Sequence, residues 1–302
     1  MNDAAIRRFA REISRSHRIE KGGKFRLRDH DPADTGPLDD EDKPRAREAL
    51  EAGRAALAEL QDRLYAQDRW SVLLVFQAMD AAGKDGTIKH VMSGVNPQGC
   101  QVYSFKAPSE EELDHYWMWR CARALPERGR IGIFNRSYYE EVLVVKVHPP
   151  ILRAQKIPRA LVGRKIWNER YQDIRAFERH MARNGTMILK FFLNVSRDEQ
   201  KKRFLERIEH PEKNWKFAAG DVRERAHWDA YMDAYQTMIR ETAAPHAPWF
   251  VVPADNKWYT RIVVSVAIVD ALSRLGLSYP KVDKATRAEL EAAGRALAAE
   301  KK

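Results

Sequence analysis

The stretch VFQAMDAAGKDGTIKH, residues 75–90, decides how this chain is read. An apolar run, VLLVF, enters a turn of small residues, and Gly83-Lys84 then opens a helix-compatible segment. Ala78-x4-Gly83-Lys84 keeps the spacing of G-x-x-x-x-G-K, in the strand-turn-helix context that a phosphate-binding loop requires. Backbone amides of such a turn, with the helix N-terminus behind them, converge on phosphate oxygens. Gly83 and Gly86 allow close backbone approach. Lys84 is expected as a mobile cation at the mouth of the turn, with little reason to be buried. Ala78 stands where the usual loop has glycine, and Asp85 where Ser or Thr follows the lysine. Asp80 adds a second carboxylate. Two carboxylates repel phosphate unless a cation lies between them, so they point to a hard cation with oxygen ligands, Mg²⁺. The plainer reading is an ordinary strand-to-helix turn whose glycines only make the bend. The register of strand, carboxylates and helix favours the phosphate loop.

Outward from this loop, short apolar segments alternate with longer amphipathic ones. Strands are predicted at SVLLVF, QVYSF, RIGIF, TMILKFFL and WFVV. Helices are predicted near 109–124, 164–183, 197–208 and 222–243, with another after PADNKWYT. This alternation implies an α/β fold: a doubly wound, parallel five-stranded sheet with flanking helices. Upstream, RAREALEAGRAALAELQDRLYAQDR sets Leu50, Leu57, Leu60 and Leu64 on one helical face. A Pro-, Gly- and Asp-rich loop and a basic arm over 7–28 precede it. The expected division is an N-terminal arm, loop and helix (1–65), a central domain (66–275) and a peripheral helical tail (276–302).

RIGIFNRSYYEEVLVVKVHPP, residues 130–150, puts a polar cluster beyond a strand's carboxyl end, where open α/β sheets hold ligands. Arg136 has the planar fork suited to phosphoryl oxygens, and Glu140 or Glu141 offers a carboxylate to metal or nucleotide. The alternative is a helix start with favourable acids in its first turn. Farther on, a segment dense in cations (Lys201, Lys202, Arg203, Arg207, Lys213, Lys216, Arg223, Arg225) flanks EHPEKNWKFAAGD. It is expected to be a hinged helical lid over about 200–228, with Trp215 as its anchor. In LDHYWMWR, Trp117 and Trp119 are expected in or beside the core, and His115 needs no catalytic role.

With 302 residues, 44% of them hydrophobic, the chain is long enough to bury a large core. A net charge of +10 predicts polyanion partners: nucleic acid, phosphate chains or acidic membrane. Cys100 and Cys121 form neither a metal spacing nor a disulfide framework. The N-terminal residues lack an apolar signal region, and IVVSVAIVDAL is too short to span a bilayer and contains Asp270. A soluble cytoplasmic protein without a membrane partner is expected.

Three segments resemble the polyphosphate kinase 2 family, a branch of the P-loop kinase superfamily: FQAMDAAGKDGTIKHVMSGVNPQG, GIFNRSYYEEVLVVKVHP and HPEKNWKF…DVRERAHWDAYMDAY. They stand in that family's order, and the wording is closest to the group acting on both AMP and ADP. The resemblance implies a P-loop kinase-like fold and reversible, Mg²⁺-dependent phosphoryl transfer between inorganic polyphosphate and nucleoside mono-, di- and triphosphates. Mn²⁺ is an alternative metal, and GMP and GDP are further acceptors. It also implies that the loop holds polyphosphate rather than ATP, with Asp80, Lys84 and Arg136 catalytic. Asp80 organises metal and phosphate, Lys84 clamps phosphate and Arg136 stabilises charge. Some family members carry Asp at the position of Asn135, so Glu140 is the other metal candidate beside Asp80. Substrate contacts are expected from Ala82, Gly83, Asp85, Gly86, Thr87, Lys89, Asn135 and Glu140, and from Arg203, Arg207, Lys213 and Lys216 in the lid. A homodimer or homotetramer is expected.

Polyphosphate carries about one negative charge per residue, so a track of lysine and arginine can hold it without sequence readout. Two rivals remain: an ATP-dependent nucleotide or small-molecule kinase on the same fold, and a non-enzymatic nucleic-acid binder. The missing Ser/Thr counts against the first. The second lacks helix-turn-helix, zinc and aromatic-rich RNA signatures, so no nucleic-acid partner is expected.

Overall fold

A computed structural model describes residues 11–39 and 41–300. The part of the expected basic arm before residue 11 lies outside them. Six strands form one sheet: β1 (Arg18–Ile19), β2 (Ser71–Gln77), β3 (Cys100–Ser104), β4 (Ile131–Asn135), β5 (Thr186–Asn194) and β6 (Trp249–Pro253). Their spatial order is β1-β6-β5-β2-β4-β3, and the five from β2 to β6 are parallel. The parallel five-stranded sheet is therefore extended by one strand. β1, from the basic arm, pairs antiparallel with β6, Arg18 opposite Phe250.

Every residue of β2 and β6 is buried, the continuous apolar pattern of strands covered on both faces. The major helices are α1 (Lys43–Gln67), α2 (Lys84–Val91), α3 (Ile166–Arg183), α4 (Arg197–Glu209), α5 (Trp228–Thr242), α6 (Lys257–Ser273) and α7 (Lys284–Ala299). α1 lies along α6, with Leu57 and Leu64 fully buried. Gly53 permits that approach, because a Cβ there would meet the Ser265 hydroxyl at 2.7 Å. No residue of α7 is buried.

Two expectations change. The helix expected over 109–124 is two short pieces, Glu110–Leu113 and Trp119–Arg123. A capping box at Ser109 starts the first, and the intervening segment carries Tyr116 and Trp117 onto the wall of a cavity. The helix expected over 222–243 is broken into Ala219–Glu224, a 3₁₀ turn at Arg225–His227, and α5. The basic arm packs against the rest of the protein: Ile13, His17 and Phe25 are buried, and the Arg240 side chain donates to Phe25 O at 2.7 Å. Among the described residues, no helix is long and apolar enough to cross a membrane.

The chain leaves β2 toward β3 on one side of the sheet and later crosses to β5 and β6 on the other. That reversal opens a crevice beyond the carboxyl end of β2.

Candidate active site

Residues 78–83 fill this crevice, between β2 and α2. Their carbonyls are turned inward and captured one after another by side chains. Lys84 Nζ donates to Ala78 O at 2.8 Å and to Met79 O at 3.4 Å. Gln200 Nε2 donates to Asp80 O at 2.8 Å. Arg203 Nη1 donates to Ala81 O at 3.1 Å and to Ala82 O at 3.0 Å. The backbone turns by way of left-handed residues, Ala81 at φ +60° and Gly83 at φ +102°. With the carbonyls committed inward, the amides of Asp80, Ala81 and Gly83 make no hydrogen bond among the described residues. They adjoin the unpaired first amides of α2, and together these donors form an anion cradle.

Lys84 differs from expectation. It is not a mobile cation at the mouth but a buried strut, 9% exposed, spanning the inside of the loop. Burial lowers its pKa against the opposing pull of Asp80. Its charge therefore sits beneath the cradle rather than in solvent.

Arg136 reaches the cradle from the end of β4. Its amide donates to Phe76 O at 3.1 Å, which ties it to the neighbouring strand, and its φ of +64° is strained for a residue with a side chain. Its Nη2 donates to Asp80 Oδ1 at 3.0 Å. Burial opposes the guanidinium charge, but Glu140 and Asp80 outweigh it and raise the pKa. Asn135 Nδ2 donates to Asp85 Oδ1 at 2.7 Å, so these two residues hold each other across the mouth. With its amide nitrogen toward the acid, Gln77 donates to Glu140 Oε1 at 2.8 Å while its oxygen accepts from the Ser137 hydroxyl. Burial raises the Glu140 pKa, against the pull of Arg136 and Lys84.

The remaining residues separate by depth. Ala82 and Thr87 are buried, Gly86 is partly exposed, and Lys89 is exposed on the flank of α2. Arg203 is not part of a surface track: it is 4% exposed, inside the protein. Arg207 lies 3.7 Å from Asp221 and also donates to Lys216 O. Lys213 is partly exposed and Lys216 exposed. Trp215, expected as an anchor, is 78% exposed; the Lys216 ammonium lies over its ring and its Nε1 donates to Glu212 O at 3.0 Å. The sequence reading missed Gln200 and Asp221. Gln200 lies three residues before Arg203 and so shares its helix face, a spacing that was visible. Asp221 lies 3.7 Å from Arg207, and after burial the Asp80 charge is the next influence raising its pKa. No sequence signal marked it.

Beside the cradle lies a cavity of about 1000 Å³. Arg136 and Glu140 form one wall, Trp117, Met118 and Ile157 supply apolar surface, and Lys106, Arg120 and Lys156 add cations.

Residues 40–277 match the family model of polyphosphate kinase 2, PPK2. This chain belongs to the polyphosphate kinase 2 family. It is 55% identical over 251 residues to the ADP-polyphosphate phosphotransferase of Rhodopseudomonas palustris, covering 83% of this chain and 87% of the relative. It is 45% identical over 272 residues to the AMP/ADP-polyphosphate phosphotransferase of Meiothermus ruber, covering 90% and 97%. The crystal structure of polyphosphate kinase 2 from Arthrobacter aurescens superposes with a TM-score of 0.83 at 40% identity, covering 93% of this chain and 96% of that one. The resemblance carried by the three sequence segments is thereby borne out, and so is the α/β kinase fold.

Whether this family member's site suits a divalent metal can be judged from its donors. Among the described residues, no group of three His, Cys, Asp or Glu side chains gathers to cage an ion. Asp80 and Asp85 present carboxylate oxygens at the cradle, with Glu140 behind them. Mg²⁺ is commonly held by one or two carboxylates, with waters and substrate phosphates completing its shell. The donor set fits a cation that arrives with phosphate and does not fit a preformed protein cage.

Proposed function

We propose that this chain transfers phosphoryl groups reversibly between inorganic polyphosphate and adenine nucleotides, taking both AMP and ADP as acceptors. The observation that carries the reading is the row of captured carbonyls from Ala78 to Ala82, which leaves amides free at the start of α2. The relatives named as ADP- and AMP/ADP-polyphosphate phosphotransferases support the substrate class.

In this reading the cradle takes the terminal phosphates of polyphosphate, and Lys84 supports them from beneath with its buried charge. The cavity beside Arg136 receives the acceptor nucleotide: apolar walls for the base, and Lys106, Arg120 and Lys156 for its phosphates. Arg136, at the junction of cradle and cavity, directs its guanidinium at the phosphoryl group in transit. Asp80, with Glu140 as the second candidate, would hold a divalent cation, Mg²⁺ with Mn²⁺ as a substitute, whose role is to neutralise phosphate oxygens. The nucleotide's own phosphate oxygen attacks, so no protein nucleophile is needed. Lys213 and Lys216 extend the positive surface along which a long chain runs.

The test is an end-point assay in which AMP, ADP, GMP and GDP are each incubated with polyphosphate and Mg²⁺, then with ATP as sole donor. Polyphosphate-dependent formation of ADP from AMP and ATP from ADP is expected. Phosphorylation with ATP alone would favour the nucleotide-kinase rival.

A further inference from the structure

The α4 helix begins one residue after Ser196 and carries Gln200 and Arg203 on the face that meets the loop. Arg203 uses every N–H it has. Nε donates to Glu199 Oε1 at 2.8 Å. Nη1 reaches Ala81 O and Ala82 O, and Nη2 reaches Ala254 O at 2.6 Å and Asp255 O at 2.9 Å. A guanidinium has five N–H donors, and here five acceptors receive them. Gln200 adds Asp80 O to the set, and is itself fixed by Arg225 Nη1, which donates to Gln200 Oε1 at 2.6 Å. Three consecutive loop carbonyls are therefore held by one face of α4, while the same guanidinium clamps the end of β6.

We propose that Arg203, assisted by Gln200, is the positioning residue of the phosphate loop: Gln200 holds the Asp80 carbonyl and Arg203 the Ala81 and Ala82 carbonyls, so that the Ala81 and Gly83 amides are turned outward and the cradle's shape is fixed. This rests on the phosphotransferase reading for its kinetic consequence but not for its structural one. A peptide plane has its carbonyl and N–H on opposite sides, so holding the Asp80 and Ala82 carbonyls inward orients the Ala81 and Gly83 amides outward, while the Ala82 amide donates within the loop to Met79 O at 3.3 Å. Ala81 is left-handed at φ +60°, and Arg203 Nη1 holds its carbonyl at 3.1 Å. With every donor engaged, Arg203 does not reach the phosphate chain. The first two turns of α4 thus belong to the floor of the site, and any lid movement begins after them. Lysine cannot substitute: its single ammonium has three donors and no planar fork to span four carbonyls.

The test compares Arg203→Lys and Arg203→Ala with the parent by three measurements: thermal unfolding, hydrogen exchange of the peptide covering 78–88, and kinetics with long polyphosphate and with tripolyphosphate. For Arg203→Lys we expect faster exchange in 78–88 with little change in distant peptides. Its kcat should fall by about a hundredfold, equally for long and short donors, with the salt dependence of KM unchanged. Guanidinium chloride at low concentration should partly restore Arg203→Ala, whereas sodium chloride at equal ionic strength should not. A raised KM for long chains only, with a flattened salt slope, would instead make Arg203 a direct contact of the polyphosphate track and overturn the proposal. Unchanged exchange in 78–88 in both variants would also overturn it. Should the parent itself lack phosphotransfer, the functional reading fails, and exchange alone decides whether Arg203 shapes the loop.

Discussion

Lys190 sits at the centre of β5 with no solvent exposure, and its replacement by Met tests how the second half of the site is held. Its Nζ donates to Glu178 Oε2 at 2.7 Å, Thr242 O at 2.8 Å and the Tyr139 hydroxyl at 3.0 Å, so all three donors are matched. Glu178 Oε1 accepts from the hydroxyls of Tyr138 and Tyr139 at 2.8 and 2.7 Å. Those tyrosines lie between Arg136 and Glu140 in the chain, so the pair anchors the segment that presents both. Lys190→Met fills the volume but leaves the Glu178 carboxylate buried without its cation. Breaking a buried pair on one side costs about 3–5 kcal/mol. For a chain of this size that lowers Tm by about 6–10 °C. Glu178→Gln should cost a similar amount, and the double variant less than the sum, with a coupling on the order of 1–3 kcal/mol. Chemical denaturation of the four proteins at pH 7 measures this, with circular dichroism confirming the fold. A Lys190→Met loss below about 1 kcal/mol, or strict additivity, would refute the view that the charges matter through each other.

Three further outcomes follow from the geometry. Lys84→Met should leave a folded protein whose phosphotransfer rate falls on the order of 10²–10³-fold, because a preorganised charge under the cradle is lost; near-parent turnover would remove Lys84 from the mechanism. Asp80→Asn should weaken divalent-cation activation by about tenfold or more, read from Mg²⁺ titrations of the rate, since a neutral amide is a poorer partner for a hard cation. Burial raises the Glu140 pKa above 4.5, so the folded chain holds that proton more tightly than the unfolded one. Glu140's contribution to stability is complete below the unfolded value and lost as pH rises through the folded value. Glu140→Gln mimics the protonated form and should therefore gain stability relative to the parent as pH rises from 4.5 through the raised folded value; a pH-independent difference in denaturation midpoint would contradict this.

Much of the fold was legible because its signals are local. The runs SVLLVF, TMILKFFL and WFVV are mostly apolar over strand length, with Lys190 the one charge among them, and the helices between them repeat with a helical period. The parallel, doubly wound character of the sheet followed from the alternation of strands and helices, whereas the strand order did not. Other features depend on distant partners. β1 is two residues long and exists because Arg18 and Ile19 pair with β6, so nothing in RI predicts it. The break after Leu113 reflects the cavity that Tyr116 and Trp117 line, and no proline or glycine within 110–123 signals it.

Buried cations account for the remaining discrepancies, and their cause is physical. A sequence reading assigns lysine and arginine to the surface because isolated burial of charge is prohibitively costly. Lys84, Lys190 and Arg203 escape that cost by matching their N–H groups to carbonyls and carboxylates, a condition that only the folded backbone can reveal. Of the four lid cations expected along a polyphosphate track, Arg203 is interior and Arg207 lies against Asp221. Lys213 is partly exposed and Lys216 exposed. The +10 charge is therefore divided between two tasks. Surface lysines draw a polyanion in through long-range, salt-sensitive attraction. Interior cations shape the amides that receive it, an effect that salt should scarcely touch, because no water or counterion stands between Arg203 and the carbonyls it holds. The salt dependence of KM in surface and interior variants consequently separates attraction from preorganisation in this one site.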